Sequence, residues 1–177
     1  METISHITGL LALTLTTSSY AFKADQTLRI VNFTACLFWA LHMATLGAWS
    51  SFAMVVLAIF MIGSSLFDRE EWALKLWVAN LLVIPATILS AMAGLVSGAA
   101  LLPVLGGFFI NTGVVRFSGI ALTLFVAAGE LMWLINGFVI GSNFAITNNA
   151  LGLGVLTYRL WKLQKERQAY NDALDTI

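Results

Sequence analysis

Seven apolar runs follow one another along this chain, over 7–22, 29–48, 51–67, 73–92, 98–115, 117–138 and 143–161. Lys and Arg fall only in alternate breaks. Lys23 and Arg29 flank the break after the first run, and Arg69 and Lys75 the break after the third. Arg116 follows the fifth, and Arg159, Lys162, Lys165 and Arg167 end or follow the seventh. An apolar run of ~20 residues is long enough to cross a bilayer as a helix. Seven crossings place all nine basic residues on one face, which the positive-inside rule makes cytoplasmic. The N-terminus is then outside and the C-terminus inside. One span more or fewer would scatter the basic residues over both faces. Trp49 on the outer side, and Trp72 and Trp161 on the inner side, fall where interfacial aromatic residues belong.

Composition agrees with this reading. The chain is 59% hydrophobic and 10% charged, whereas soluble domains are about one quarter charged. The expectation is an all-α integral membrane protein: a single seven-helix membrane domain over 1–161 and a polar, helical cytoplasmic tail over 162–177. The N-terminal METISH has no Lys or Arg, so 7–22 reads as a retained helix rather than a signal peptide. Pro85 and Pro103 lie inside spans four and five, and Pro103 with Gly106 and Gly107 makes span five the kinked one. The partner this composition dictates is the lipid bilayer; a second copy of the chain is an admissible one. A formal net charge of zero gives no electrostatic reason to bind nucleic acid. Cys36 is the only cysteine, and His6 and His42 are far apart, so neither a disulfide nor a metal set is expected. HExxH, GxSxG and P-loop patterns are missing. No enzyme activity and no cofactor are expected.

An internal repeat is visible at a shift of 94 residues. It lays Trp39-Ala-Leu-His42-Met-Ala-Thr-Leu-Gly47 over Trp133-Leu-Ile-Asn136-Gly-Phe-Val-Ile-Gly141. The shared pattern is Trp, a polar ring or amide three residues on, and Gly five after that. Leu37/Leu131, Leu57/Leu151 and Leu66/Leu160 also agree. The shift superposes spans two and three on six and seven, and span one roughly on five. The chain then divides into a first triplet over 7–67, a linker helix over 73–92 and a second triplet over 98–161. The odd connector makes the repeats parallel, an arrangement known among small transporters.

The anomaly is Glu130. It stands near the middle of an apolar stretch, while the other Asp and Glu residues lie at a terminus or in a polar break. A carboxyl group inside a span is costly and usually faces a partner, a cavity or a pathway. Counted from the cytoplasmic entries of spans six and two, near Phe117 and Arg29, Glu130 and His42 each lie about 13 residues in, roughly 20 Å deep. Asn148 and Asn149 lie one to two turns below the outer surface on span seven. The four are therefore expected in one layer, with Trp39 and Trp133 about one turn away. Helical spacing groups Thr123, Ala127, Glu130, Trp133 and Gly137 on one stripe, and Asn32, Ala35, Trp39 and His42 on another.

Each of these has a structural reading beside the functional one. Glu130 is either a pathway carboxyl or a protonated acid donating to a helix carbonyl. His42 is either its partner or a hydrogen-bonded histidine near the interface. Trp39 and Trp133 are either site walls or packing residues. Asn136, Asn148 and Asn149 either bind a solute or join helices, a common use of Asn in membranes. Asn32, Asn80, Asn111 and Thr112 read mainly as joints between helices. The basic run over 159–167 reads as an anchor at an anionic leaflet.

Tyr20-Ala-Phe-Lys23, Arg29 and the segment LFWALHMATLGAW resemble the YgjV family of small bacterial inner-membrane proteins. That resemblance implies an inner-membrane location. The three-plus-one-plus-three layout is similar to the SWEET and PQ-loop superfamily. In SWEET-like proteins the substrate site takes a Trp from the second helix of each repeat and an Asn from the third. That resemblance implies Trp39, Trp133 and Asn148 or Asn149, with Met54 and Val55 at the first repeat's Asn position. The Pro-Gln signature of PQ-loop proteins is absent: Thr17-Ser18-Ser19 and Ile110-Asn111-Thr112 stand there. Two function classes follow. One is a small-solute transporter or solute-binding protein with an unidentified small molecule in a central cavity lined by spans two, six and seven, proton-linked through Glu130. The other is a non-transporting receptor or accessory subunit of the same architecture, of which the KDEL-receptor branch is an example.

Overall fold

The computed structural model describes residues 2–19, 25–66 and 70–174. Tyr20-Ala-Phe-Lys23, Phe67 and Arg69 lie outside the described residues, as do the side chains of Arg29 and Trp72 and the end of the tail over 175–177. Among the described residues the chain forms seven α-helices and no strand. They are α1 (Glu2–Ser19), α2 (Asp25–Thr45), α3 (Trp49–Leu66), α4 (Glu70–Met92), α5 (Leu101–Arg116), α6 (Gly119–Ile140) and α7 (Asn143–Leu174). Leu74–Met92 within α4 and the whole of α6 are each long and apolar enough to cross a bilayer alone.

Consecutive helices pack as antiparallel neighbours. α1 meets α2, α2 meets α3, α5 meets α6 and α6 meets α7. Two further contacts, α3 with α5 and α1 with α7, close these six helices into a ring, and α4 packs outside it against α3 and α5. The exposed Leu82, Leu89 and Met92 lie on α4, as suits a helix whose outer side faces lipid. A cluster of Ala12, Trp39, Ala40, Met43, Val55 and Ala145 fills the ring from α1, α2, α3 and α7.

The turns that join α2 to α3 and α6 to α7 are built alike. α2 ends at Gly47, φ 68°, and α6 at Gly141, φ 67°. In the first, Gly47 N–H donates to Ala44 O at 3.1 Å and Ala48 N–H to Met43 O at 3.0 Å. In the second, Gly141 N–H donates to Phe138 O at 3.3 Å and Ser142 N–H to Gly137 O at 3.0 Å. This paired pattern around a left-handed residue is the Schellman cap, which glycine adopts without steric cost. The two glycines are the pair that the 94-residue shift superposes.

Both turns lie at the end of the bundle where α1 begins. Arg116, at the end of α5, lies at the opposite end, its guanidinium 4.3 Å from the centre of the Trp77 ring. Lys75, in the second turn of α4, and the basic residues of α7 share that end, so the described basic side chains cluster there. Trp49, 66% exposed, marks the other end, and Trp161, 50% exposed, the basic one.

Two expectations are corrected here, and a third is met. Pro103 sits in the first turn of α5, after a 3-10 turn over Gly98–Ala100, so it starts the helix instead of kinking it. At that position its missing N–H is one the helix would leave unpaired anyway. α1 starts at Glu2, five residues before the apolar run, so Glu2 to His6 are already helical. α7 runs unbroken to Leu174, and the polar tail continues the last span for about three turns.

Candidate functional site

The polar residues of the membrane domain fall at two levels. The upper level is organised by His42, which is 2% exposed. Its Nδ1 lies 2.9 Å from Ser5 O. A carbonyl oxygen can only accept, so Nδ1 carries the hydrogen and donates it. The Ser5 hydroxyl oxygen lies 3.2 Å from the same nitrogen. Nε2 lies 2.8 Å from Ser142 Oγ. Ser142 Oγ already accepts from Ala145 N–H at 3.1 Å, as the cap of α7, so its own hydrogen is free to donate to Nε2. One imidazole thereby ties α1 and α2 to the α6–α7 turn. Trp39 and Phe144 flank it edge-on, with ring centres 5.7 and 5.8 Å away.

Above His42 a cleft of about 190 Å³ opens at the bundle end. Glu2, Ser5 and His6 line it from α1, His42 and Thr45 from α2, and Gly141 to Phe144 from the turn. Glu130, Trp133, Asn148 and Asn149 do not line it.

Asn136 belongs to the same end. It is 3% exposed, and its Nδ2 donates to Ser51 Oγ at 3.0 Å, joining α6 to the first turn of α3.

Glu130 lies lower. It precedes the end of α6 by ten residues, about 15 Å along the helix, and Ser142, against which His42 rests, lies beyond that end. The expected single layer of Glu130, His42, Asn148 and Asn149 is therefore two levels, and Glu130 and His42 do not share the cleft. The depth count failed because the helices do not begin where the apolar runs do. α2 starts at Asp25 and α6 at Gly119, so His42 is 17 residues into its helix and Glu130 only 11. Glu130 shares a stripe with Gly137, two turns above it, where Gly137 packs against Ile146 of α7. Glu130 Oε2 is buried and has no hydrogen-bond partner among the described residues.

Asn148 and Asn149 sit on α7 between the two levels and are 8% and 7% exposed. Asn149 Nδ2 donates to Ala145 O at 2.7 Å, one turn back on its own helix. Asn148 Oδ1 is buried without a partner among the described residues.

The tryptophan pair does not meet. Trp39 Nε1 donates to Thr16 Oγ1 at 3.0 Å, so its indole lies on α1. Trp133 lies on α5, where a Cβ added to Gly106 would stand 2.7 Å from Trp133 Cδ1. Each indole thus packs on the helix that precedes its own. Ala12, clustered with Trp39, and Gly106, beneath Trp133, are again 94 residues apart.

Of the residues read as joints, Thr112 accepts from Trp77 Nε1 at 3.1 Å, between α4 and α5. Asn80 is fully buried, and neither its oxygen nor its nitrogen has a partner among the described residues. Sequence reasoning missed Ser5, Thr16, Ser51 and Ser142, which hold the singled-out side chains in place. Only Ser142 carried a readable signal, as a helix cap just after a Gly that ends the preceding helix.

Seven apolar helices, with the described basic side chains gathered at one end, define a multi-pass helical membrane protein. The chain belongs to the Imp-YgjV family of bacterial inner membrane proteins, whose family model matches residues 3–167. No curated protein and no solved structure matches it.

Proposed function

We propose that this inner-membrane protein binds and moves a small solute between two three-helix repeats, α1–α3 and α5–α7, with α4 as the linker. The N-terminus faces outside and the C-terminus the cytoplasm. The observation that carries this reading is Glu130 Oε2, a buried carboxyl oxygen inside α6 without a partner among the described residues. An unpartnered polar atom inside a membrane span costs several kcal/mol. A structural acid would be expected to hold a bond, whereas an acid awaiting a proton, a solute donor or a cation would not. Asn148 Oδ1, also buried and without a partner among the described residues, adds an acceptor on the neighbouring helix. The repeat draws support from the twin turns at Gly47 and Gly141 and from the matched seats of Trp39 and Trp133. Glu130 has Cys36 as its counterpart at the repeat shift, so the acid belongs to one half alone.

The test is solute-induced thermal stabilisation, and uptake into vesicles, over a compound panel. Wild type is compared with Glu130→Gln and Asn148→Ala. At least one solute stabilises wild type, and that effect shrinks in Glu130→Gln. A solute that binds equally well to all three proteins contradicts the placement of the site.

The alternative of a non-transporting receptor or accessory subunit is favoured by the apolar cluster of Trp39, Met43, Val55 and Ala145 inside the ring. It predicts that no panel solute is taken up and that Glu130→Gln leaves partner binding intact.

A further inference from the structure

Two of the side-chain hydrogen bonds among the described residues cross from one triplet to the other, and both lie at the same end of the bundle. His42 of α2 bonds Ser142, which caps α7, at 2.8 Å. Asn136 of α6 bonds Ser51, in the first turn of α3, at 3.0 Å. We propose that these bonds form a double latch that holds this end of the bundle closed. The inference rests on the reading of α1–α3 and α5–α7 as bodies that move against each other.

The two bonds are alike in ways that chance contacts would not be. His42 and Asn136 are equivalent at the repeat shift of 94 residues. Each sits near the end of the second helix of its triplet and reaches a serine where the other triplet's third helix begins. All four residues are at most 3% exposed. Each bond lies beside a Schellman turn, at Gly141 and Gly47, which fixes the direction of the serine-bearing helix. The latch is therefore two-fold in design but unequal in chemistry, an imidazole on one side and an amide on the other.

Its placement at the seam argues for a switch over a general brace. Trp39 on Thr16 and Trp133 against Gly106 hold α2 to α1 and α6 to α5, inside the respective triplets. The bond of His42 to Ser5 is likewise internal to the first triplet. Breaking His42–Ser142 and Asn136–Ser51 removes these hydrogen bonds between the triplets at this end; the internal contacts stay in place, and only apolar and ring packing, such as Phe144 of α7 against His6 and His42, still joins the two bodies there. The cleft of about 190 Å³ above His42 is then the outer mouth of the path, with the latch at its floor.

The test is a distance measurement between spin labels at Trp49→Cys on α3 and Asn143→Cys on α7, in a Cys36→Ser background in lipid nanodiscs. These positions lie one on each triplet at the latched end. With both latches intact the distances form one narrow population. Ser51→Ala alone leaves the second latch in place and keeps that population dominant. His42→Phe with Ser51→Ala removes both bonds and adds a population at longer distance. Because His42→Phe could perturb folding, Asn136→Leu with Ser142→Ala removes both bonds by other residues. An unchanged distribution in whichever double variant elutes as a folded species overturns the latch. This readout involves no solute, so failure of the latch is distinguishable from failure of the transport reading.

Discussion

Trp133 on α6 and Gly106 on α5 are in direct contact: a Cβ on Gly106 would stand 2.7 Å from Trp133 Cδ1 and 3.2 Å from Gly129 O. The approach is mutual, since a Cβ on Gly129 would meet Gly106 O at 2.7 Å. Small residues at such a crossing let two backbones come together in lipid, where van der Waals packing and interhelical hydrogen bonds carry helix association. Gly106→Ala must displace the indole or part the helices, and the expected loss is roughly 1–3 kcal/mol of stability. Gly154, with nothing near its virtual Cβ, is the control. Gly154→Ala should be neutral or stabilising by up to about 1 kcal/mol, because alanine is the better helix former. Thermal or denaturant unfolding of the purified protein in detergent checks both.

The indole of Trp39 donates to Thr16 across α1 and α2. Trp39→Phe keeps most of the apolar body and removes the donor. Interhelical hydrogen bonds in membranes average about 0.6 kcal/mol and reach about 1.7. The variant should lose stability in that range, less than the 3–5 kcal/mol or so typical of truncating a buried aromatic residue to Ala. A double-mutant cycle with Thr16→Val isolates this bond from the one that Thr16 Oγ1 donates to Ala12 O at 2.8 Å, and its coupling energy should fall in the same range.

His42 should be the Nδ1–H tautomer. Nδ1 faces a carbonyl that can only accept, and Nε2 faces a hydroxyl whose oxygen is already engaged by Ala145 N–H. Solid-state nitrogen NMR of histidine-labelled protein at neutral pH should show a protonated Nδ1 and an unprotonated Nε2. The reverse tautomer would contradict the bond assignment.

Asn136 and Asn148 should respond oppositely to loss of the amide. Asn136→Leu breaks the bond to Ser51 and leaves a buried hydroxyl behind, at a cost of about 1–3 kcal/mol. Asn148→Leu removes a buried oxygen that has no partner among the described residues, so it should be neutral or stabilising in the solute-free protein. Unfolding of the two variants side by side decides this, and equal losses would contradict it.

Much of the fold was legible because the signals were long. Each apolar run corresponds to one helix, and Arg116, Lys75 and the α7 cations gather at one end as the alternate breaks implied. What failed were inferences that depended on local starting points. Arg29 and Phe117 mark where the apolar runs begin, but α2 begins at Asp25, and α6 begins only at Gly119, after the extended Phe117 and Ser118. That shift separated His42 from Glu130. Pro103 reads as a kink only if the helix fills the whole apolar run from Gly98; α5 begins two residues before it, at Leu101. The serines that anchor the polar residues were invisible for another reason. Ser and Thr in an apolar helix usually bond their own backbone one turn back, as Thr8, Thr17 and Thr157 do here. Nothing in the sequence separates those from Ser5 and Ser51, which bond across helices; only Ser142, just after a Gly that ends the preceding helix, carries a signal, and that signal is of a cap.

In the proposed transporter a polar path reaches Glu130. Its most direct test is carboxyl modification in native membranes, with modified peptides identified by mass spectrometry. A water-soluble carbodiimide with an amine nucleophile should modify Glu130 in wild type, and more extensively when the His42 and Asn136 latches are both broken. Modification by a lipid-soluble carbodiimide alone, with none by the water-soluble reagent in either protein, would contradict the account and make Glu130 a buried structural acid.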